Sequence, residues 1–399
     1  MMTTMTGNAL CILGRQPALG IAELESLYGS EAISLAGNEA ALIHADAESI
    51  PFARIGGVIK LASVLTVLDT TNWRDIEQYL VQNSRTYASR LPEGKMYLGV
   101  STYGIKVNPK QIMASGLSLK KVIRSTGRPV RLVPNVTPEL NTAQVIHNRL
   151  TGDHGTELIC LRDGDHTIVA QTIFIQDIES YTDRDRGRPK RDARVGMLPP
   201  KLAQIIVNLA SSTTVQQDTT ILDPFCGTGV ILQEALLSGF NVYGTDLETR
   251  MVEYSNANLE WLTKKYSGVG GSVLLDTGDA TSYSWKKKID IIATETYLGR
   301  PLTNIPEPAI LQKIIGDCNL IISKFLKNAY HQIKPGTRLC LAVPAWHVSN
   351  NSFRHLPLID QIDEMGYNRV SFEHVRDHDL LYYRENQIVA RELLVITRK

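Results

Sequence analysis

The chain has 399 residues, of which 43% are hydrophobic and 21% are charged, and its formal net charge is +1. This length is too great for one simple core, so we expect two or three domains of ordinary globular composition. No apolar stretch approaches the roughly 20 residues needed to cross a bilayer, and the first residues lack the basic and apolar regions of a signal peptide. The five cysteines are scattered and form no C-x-x-C pair, which argues against a disulfide framework and a cysteine zinc site. We therefore expect a cytoplasmic protein with no membrane segment and no bound metal.

The first half of the chain predicts a mixture of strands and helices. Residues 10–75 contain short apolar runs broken by turn residues, and residues 16–29 have the spacing of an amphipathic helix that follows a strand. From residue 96 to residue 176 the pattern predicts strand, helix, strand, helix, strand and strand, which is typical of a compact α+β module. Residues 177–196 are polar and charged, and this composition predicts an interdomain linker.

The charge of this α+β module is strongly asymmetric. No acidic residue occurs between Gly94 and Pro138. A neutral protein with one strongly basic module indicates a polyanion docked on that module, although an ordinary lysine-rich solvated face is the alternative. The candidate polyanion-binding residues are Lys106, Lys110, Lys120, Lys121, Arg124, Arg128 and Arg131.

From residue 197 the pattern changes to regularly alternating helices and strands. A helix entered through prolines comes first, and apolar strands then begin near residues 219, 241, 272, 289 and 337. Apolar strands that alternate with helices indicate a doubly wound, mostly parallel sheet. The last residues predict an antiparallel hairpin.

The sharpest local signal is ILDPFCGTGVILQEAL, residues 221–236, in which a strand, a glycine-containing loop and a helix follow one another. Gly227 and Gly229 allow the backbone to pass close to a ligand, and the first N–H groups of the helix suit a carboxylate or a phosphate. Ligands of open α/β sheets bind just beyond the strand ends, where this loop lies. The spacing is not G-x-G-x-x-G, so a dinucleotide is disfavoured.

Acidic residues also end the next two predicted strands. Asp246 follows the loop after about twenty residues, where an acid can bind ribose hydroxyls. Asp279 ends the third strand and is placed to bond an adenine amino group. The alternative is that these acids are strand-end caps and turns. The predicted cofactor-binding residues are Asp223, Pro224, Phe225, Gly227, Thr228, Gly229, Asp246, Leu247, Asp279 and Ala280.

Together these motifs resemble those of the S-adenosylmethionine-dependent methyltransferases. The wording D-P-F-C-G-T-G is similar to that of the RNA guanine-N2 methyltransferases that carry an N-terminal THUMP domain. The upstream segments 13–29, 128–150 and 187–210 extend this resemblance over almost the whole chain. The most similar group methylates the guanosine at tRNA position ten, so the resemblance implies S-adenosylmethionine as cofactor and tRNA as partner.

The resemblance also implies a domain order and a fold class. The fold is α/β, with a Rossmann-like methyltransferase domain preceded by an α+β ferredoxin-like and THUMP module. The predicted parts are an N-terminal ferredoxin-like domain at 1–75, a THUMP-like RNA-binding domain at 76–176, a linker at 177–196 and the methyltransferase domain at 197–399.

The fourth predicted strand of the methyltransferase domain ends in Thr-Glu-Thr-Tyr, residues 294–297, where the family carries Asp-Pro-Pro-Tyr. In that motif a carboxylate and a backbone carbonyl accept the N–H groups of the target amine, and an aromatic ring stacks on the base. The resemblance implies Glu295 as the carboxylate, Thr296 as the carbonyl donor and Tyr297 as the stacking residue. Here Glu replaces Asp, and both prolines are missing.

Several alternatives stay open. Glu295 is the acceptor in a true variant enzyme, or the motif is adapted to another base or amine, or the domain binds cofactor and RNA without catalysis. Ribosomal RNA or adenine in DNA are the competing substrates. Eukaryotic members of the family need a small activating subunit whereas archaeal members resemble stand-alone enzymes, so the need for a partner subunit, the number of methyl groups and the oligomeric state remain undetermined.

Overall fold

The computed structural model describes residues 7–192, 198–212, 218–302, 304–349, 352–384 and 387–399. The chain divides into two compact units. Unit 1 comprises residues 1–17, 30–53 and 58–178, and unit 2 comprises residues 18–29, 54–57 and 179–399. The first helix, α1 at Pro17–Tyr28, therefore belongs to unit 2 from its second residue onward.

Unit 1 is built on one eight-stranded sheet. Its strands are β1 (Asn8–Leu13), β2 (Ile33–Ala36), β3 (Ala40–Asp46), β4 (Val58–Leu68), β5 (Met96–Tyr103), β6 (Val130–Leu132), β7 (Gly155–Asp163) and β8 (His166–Ile175). Its helices are α2 (Trp73–Ser89), α3 (Pro109–Arg124) and α4 (Thr142–His147). The strand order is β2-β3-β1-β4-β8-β7-β5-β6. All neighbours are antiparallel except that β5 is parallel to both β6 and β7.

This single sheet includes strands from both N-terminal domains predicted from the sequence. β4 pairs with β8 from Lys60 opposite Ile175 to Leu68 opposite Thr167. The predicted boundary at residue 75 therefore falls within unit 1. The local periodicity of the sequence cannot predict this pairing, because the pairing joins strands that are about a hundred residues apart along the chain.

Unit 2 is built on a mostly parallel sheet covered by helices. Its strands are β9 (Thr220–Asp223), β10 (Asn241–Asp246), β11 (Val273–Thr277), β12 (Ile291–Glu295), β13 (Arg338–Ser349), β14 (Ser352–Arg354), β15 (Tyr367–Arg369), β16 (Leu381–Tyr382) and β17 (Val389–Arg398). Its helices, besides α1, are α5 (Ile178–Thr182), α6 (Pro200–Ala210), α7 (Val230–Leu237), α8 (Thr249–Lys265) and α9 (Pro308–Tyr330). The main strand order is β11-β10-β9-β12-β13-β17-β15.

The strand directions confirm the predicted doubly wound sheet with an antiparallel C-terminal hairpin. β9 to β13 pair with one another in parallel, whereas β17 is antiparallel to both β13 and β15. β16 and β17 form the hairpin. Such sheets are buried on both faces, which explains the apolar strands of this half of the chain.

Alternating side chains of these strands enter two separate cores. Ile221 and Ala293 lie in the core under α6, α7 and α8, whereas their neighbours Leu222 and Ile292 lie in the core under α9. Leu19 of α1 is also part of the first core. Because parallel strands end at one edge, the last residues of β9, β10 and β12 come together there.

Residues 179–192 of the predicted linker are part of unit 2. Arg184 is 8% exposed, and its Nε donates to Glu234 of α7 at 2.7 Å. Asp183 accepts bonds from Lys265 and Tyr266 at 2.6 and 2.8 Å. Two of the charges that make the segment look solvated, Asp183 and Arg184, thus have specific partners on α7 and at the end of α8. The rest of this predicted linker, residues 193–196, lies outside the described residues.

No helix within the described ranges combines the length and the apolar character needed to cross a bilayer.

Candidate active site

Asp223 ends β9 and is almost fully buried, with 1% of its surface exposed. Its Oδ1 accepts the Thr294 hydroxyl at 2.6 Å and the Phe225 N–H at 3.2 Å. Burial raises the pKa of Asp223 to about 7, and the charges of Asp246 and Glu295 act in the same direction. Asp223 therefore links the ends of β9 and β12 from inside the sheet edge.

The glycine loop after β9 makes a tight turn into α7. Gly227 and Gly229 have φ angles of 50° and 80°, in the left-handed region that favours glycine. A Cβ on Gly229 would lie 2.9 Å from the Ser255 hydroxyl, which itself donates to the Gly227 carbonyl at 2.8 Å. A Cβ on Gly227 would meet nothing closer than the Phe225 carbonyl at 4.0 Å. The loop is thus packed on α8 at one glycine and open to an approaching ligand at the other.

The other predicted residues of this loop contact the protein interior. The Phe225 ring packs edge-on against the Phe325 ring of α9, with the ring centroids 5.3 Å apart. Pro224 immediately precedes Phe225 in the chain. The Thr228 carbonyl accepts a bond from Asn258 of α8 at 2.8 Å. These contacts hold the backbone of the loop in place.

Asp246 ends β10 beside this loop. Its Oδ2 accepts the Gly227 N–H at 2.9 Å, and its Oδ1 accepts the Glu248 N–H at 3.0 Å. Burial raises its pKa, and the backbone bonds oppose that rise. The following Leu247 is 70% exposed. A carboxylate oxygen that has accepted one N–H keeps a further acceptor position, so Asp246 can bind a hydroxyl as well.

The third predicted strand end joins the same cluster of loops. The Gly278 N–H donates to the Asp246 carbonyl at 2.9 Å. Asp279 is exposed, and its Oδ1 accepts the Thr281 N–H at 2.9 Å. Ala280 is 4% exposed. The structure therefore places the acids of all three strand ends at one edge of the sheet, with Asp279 in a turn.

Glu295, the last residue of β12, forms an ion pair with Arg391 of β17. The Arg391 Nε donates to the Glu295 Oε1, and the two side chains are 7% and 16% exposed. Burial raises the pKa of the Glu295 carboxyl, and the charge of Arg391 opposes that rise. Glu295 is thus held by a partner from another strand.

Arg391 is not among the site residues predicted from the sequence. A signal was present, because Arg391 and Glu392 interrupt the apolar strand IVARELLVI. Charged residues inside a buried strand require partners. The sequence did not show which of the many acids is that partner.

The two residues after Glu295 differ in exposure. Thr296 is 3% exposed, and both its N–H and its hydroxyl donate to the Ala342 carbonyl, at 3.1 and 3.2 Å. Tyr297 is 43% exposed. Its pKa is raised by burial, with further contributions from Cys318 and Asp317 of α9. The ring therefore lies next to α9 and keeps a solvent-facing side at the carboxyl edge.

The predicted RNA-binding residues lie in unit 1, on or near α3. Lys106, Lys110, Lys121, Arg124 and Arg131 are exposed, and Lys120 is half-buried. None of these six forms an ion pair with a residue that the structure describes. They leave an uncompensated positive surface.

Arg128 has a different environment from the other predicted RNA-binding residues. Its guanidinium donates to the carbonyls of Ala88, Leu91, Pro92 and Gly94. This side chain therefore fixes the segment after α2.

In the part of the chain that the structure describes, no group of three or more His, Cys, Asp or Glu side chains is arranged to hold a metal ion. His347, near the carboxyl end of β13, stacks on Phe353 with the ring centroids 5.0 Å apart.

The sheet order of unit 2, its glycine loop and the acids at its strand ends define a Rossmann-like fold. Residues 188–344 match the family described as UPF0020: RMKL-like, methyltransferase domain. The structure is similar to that of TrmN from Thermus thermophilus, with a TM-score of 0.51 and 16% identity over 98% of this chain and 100% of that one. It is also similar to SMU.472 complexed with SAH, with a TM-score of 0.50 and 12% identity over 98% of each chain. At these identities the structural similarity establishes the fold.

Among curated proteins, this chain is similar to the tRNA (guanine(10)-N2)-dimethyltransferase of Methanothermobacter thermautotrophicus. The two are 33% identical over 149 residues, which are 37% of this chain and 39% of that protein. The match thus spans about two-fifths of the length of that relative. The resemblance to the tRNA guanine-N2 methyltransferases is confirmed for this part of the chain, and the THUMP-like part stays a prediction.

Proposed function

We propose that this protein transfers a methyl group from S-adenosylmethionine to the exocyclic N2 amine of a guanosine in tRNA, with position ten as the site. The observation that carries this proposal is a largely buried carboxylate, Glu295, at the fourth strand end, on the sheet edge that also holds the glycine loop and the acid Asp246. The methyltransferase domain match and the name of the curated relative support it.

The residues at the first three strand ends suit the cofactor. Asp246 keeps acceptor capacity for ribose hydroxyls, and the exposed carboxylate of Asp279, next to Ala280, suits the amino group of adenine. The open backbone at Gly227 and the start of α7 suit the amino-acid part of the cofactor. S-adenosylmethionine supplies a methyl group that its sulfonium charge has already activated.

Glu295 has the chemistry that the target amine requires. The exocyclic amine of guanine is a weak nucleophile, because its lone pair is delocalised into the ring. A carboxylate that accepts an N–H of this amine favours the reactive geometry and stabilises the positive charge that develops on nitrogen. The Arg391 Nε donates to Oε1 of Glu295, and no residue that the structure describes donates to Oε2. That oxygen is available to the amine.

Thr296 and Tyr297 complete the proposed base site. Thr296 is held against Ala342 by two bonds, so the backbone after Glu295 has a defined direction without the two prolines of the family motif. Its carbonyl is the second acceptor for the amine. The solvent-facing side of the Tyr297 ring can stack on an extruded base.

The nitrogen of the amine attacks the methyl carbon as the bond from that carbon to sulfur breaks. The methylated nitrogen then loses a proton to solvent, and the products are N2-methylguanosine, S-adenosylhomocysteine and that proton. Positioning supplies most of the rate, since the leaving group is already activated.

The basic surface of unit 1 supports tRNA as the partner. Six cationic side chains without acidic partners in the described chain suit a phosphate backbone, which contributes most of the non-specific affinity of nucleic-acid-binding proteins. A surface of this kind is not needed for a small-molecule substrate.

The test is mass spectrometry of nucleosides from tRNA incubated with the protein and S-adenosylmethionine. We expect N2-methylguanosine with the wild type and a single-turnover rate lower by about 10²–10⁴-fold for Glu295→Gln, the usual range for a positioned acid–base group. Glu295→Asp should be intermediate, because it keeps the charge but shortens the reach. Cofactor and tRNA affinities should change little, since the carboxylate acts as charge develops on the amine.

Asp290→Asn is the matched control. Asp290 lies just before the amino end of the same strand, β12, where it accepts the Thr220 N–H at 3.0 Å. This variant should retain the wild-type rate. Equal rates for Glu295→Gln and wild type would make Glu295 a strand-end cap. A wild type that methylates no tRNA would favour the alternative of a binding module without catalysis.

A further inference from the structure

We infer that Arg391 is the positioning residue for Glu295, holding its carboxylate at the end of β12 in the place of the two prolines that this loop lacks. This inference rests on the proposed methylation of an amine. By this inference a residue of β17, an antiparallel strand near the far side of the sheet, directly arranges the site that binds the base.

The register of three strands brings the two side chains together. Glu295 lies opposite Ala342 of β13, and Arg391 lies opposite Pro344 of the same strand. Residues two apart on a strand share a face, so Glu295 and Arg391 lie on the same side of β13. Two strand spacings of about 4.8 Å separate their backbones, a span that two long side chains can bridge. The small Ala342 between them leaves that path open.

Both side chains of the pair are largely removed from solvent, and burial favours the uncharged form of the Glu295 carboxyl. The charged groups that act on Glu295 are Arg391 from β17 and, by mutual repulsion, Asp223 from β9. Burial and Asp223 both favour protonation of Glu295, whereas Arg391 favours the carboxylate. A protonated Glu295 could donate a hydrogen bond but would be a poor acceptor for the amine. Arg391 therefore fixes the direction of the acceptor and favours its charged form.

Arg391 forms an ion pair with Glu295 and with no other acid among the described residues. The adjacent Glu392 points to the other face of β17, where it pairs with His355 and lies 4.0 Å from Arg369. The two charges inside this strand are thus neutralised separately. A buried guanidinium with one dedicated carboxylate fits a positioning role, because a cation without its acid would be costly at this depth.

The test is a double-mutant cycle on single-turnover methylation of tRNA, measured across pH. Arg391→Met should lower the rate at neutral pH by about 10–10²-fold and move the acidic limb of the pH profile upward. Affinity for S-adenosylmethionine should be unchanged. In the Glu295→Gln background the same substitution should have little further effect, since the two residues act as a unit. Arg391→Lys should recover part of the rate and restore the position of the acidic limb.

Arg398→Met is the matched control on the same strand. Arg398 lies at the other end of β17, where it donates to the Ile333 carbonyl and stacks 4.4 Å from the Tyr330 ring. Its substitution should leave the rate and the pH profile unchanged. Chemical unfolding of each variant verifies that it is folded, and Arg391→Lys is the variant to use if Arg391→Met does not fold.

A second measurement separates this inference from the proposed function. The Glu295 carboxyl can be titrated by carbon NMR of labelled protein without tRNA, with Glu295→Gln to assign the signal. Arg391→Met should raise the pKa of Glu295. An unchanged pKa, or an equal loss of rate in both backgrounds of the cycle, would overturn the inference. Absence of methylation by a wild type that shows the expected titration would instead overturn the proposed function, and the positioning role with it.

Discussion

Asp223 shows how burial changes the behaviour of a single acid at the edge of this sheet. Two donors, Thr294 and Phe225, bond its Oδ1, yet burial still raises its pKa to about 7. The nearby acids Asp246 and Glu295 contribute to this rise. A group with such a pKa exchanges its proton in the neutral range and makes the stability of unit 2 depend on pH.

The sign of this dependence follows from proton binding. The ordinary pKa of the group is 3.8, and the folded value is about 7, so between these values the folded state holds a proton that the unfolded state has released. The stabilisation from Asp223 is complete below about pH 4 and is lost as the pH rises through 7, by up to about 1.4 kcal/mol per pH unit. Asp223→Asn should therefore reduce the fall in the free energy of unfolding between pH 5 and 7, measured by denaturant titration.

The control for this prediction is Asp279→Asn. Asp279 is an exposed acid in the same group of strand-end loops, so its variant should keep the wild-type pH dependence. Identical pH dependence for wild type and Asp223→Asn would show that Asp223 is ionised throughout this range.

Helix α3 is the element that carries the basic surface. It begins with a capping box in which Asn108 and Gln111 bond one another's backbone N–H groups, and Pro109 is its first residue. Its buried face includes Ile112, Leu119 and Ile123, so the intervening lysines point away from the core. The same amphipathic pattern that folds the helix therefore separates its charges from the sheet.

Reversing charges on this helix tests the docking of RNA. In the variant Lys110→Glu, Lys120→Glu, Lys121→Glu we expect weaker binding of tRNA and a smaller dependence of affinity on salt. Each lost phosphate contact should reduce the slope of log affinity against log salt by roughly 0.7–0.9. Titration of labelled tRNA at several salt concentrations measures both quantities, and affinity for S-adenosylmethionine should be unchanged.

Three lysines of α9 provide a matched charge control. Lys313, Lys324 and Lys327 are exposed on a helix of unit 2, and reversing them changes the net charge by the same amount. The variant with these three lysines of α9 reversed should lose less tRNA affinity than the variant with three lysines of α3 reversed. Equal losses in the two variants would indicate a general effect of net charge and would remove the α3 surface from the proposal.

At the scale of the whole molecule, the compact units do not follow the order of the chain. Residues 18–29 and 54–57 belong to unit 2, where Glu23 joins them to α6. Its Oε1 accepts Gly56 N–H at 2.8 Å and the Asn208 side-chain amide at 2.7 Å, and its Oε2 accepts Gly57 N–H at 2.5 Å. Glu23 itself is fully buried. Unit 2 is therefore completed by residues from the beginning of the chain.

Removing this carboxylate should destabilise unit 2. Glu23→Ala leaves three buried donors without their acceptor, and each such group costs about 1–3 kcal/mol. We expect the free energy of unfolding to fall by about 2–4 kcal/mol after local rearrangement, measured by denaturant titration with a probe in unit 2. Glu31→Ala, at an exposed site, should change it by less than about 0.5 kcal/mol.

A fragment comprising residues 179–399 gives a second measurement of the same point. It lacks α1 and residues 54–57, so Leu19 no longer covers the core beneath α6. We expect it to unfold at a lower denaturant concentration than unit 2 does in the whole chain. A fragment of equal stability would show that these N-terminal residues are dispensable for unit 2.

Much of unit 2 was predictable because its signals are local. The apolar runs that become β9, β10 and β12 end at Asp223, Asp246 and Glu295, and parallel strands place such ends at one edge. The glycines at 227 and 229 mark the turn, since their φ angles disfavour other residues. These features belong to short segments, so the sequence alone determined the fold class and the position of the candidate site.

The partners of these residues were decided by tertiary structure. Arg391 reaches Glu295 across 96 positions of sequence, Arg184 reaches Glu234 from a segment that looks like a linker, and β4 joins β8 to make one sheet. Local propensity and periodicity carry no information on such pairings, because each depends on which distant strands or helices become neighbours and on which charges burial forces to find a counterion. The sequence thus determined that a carboxylate stands at the end of the fourth strand, and only the folded chain determined which cation holds it there.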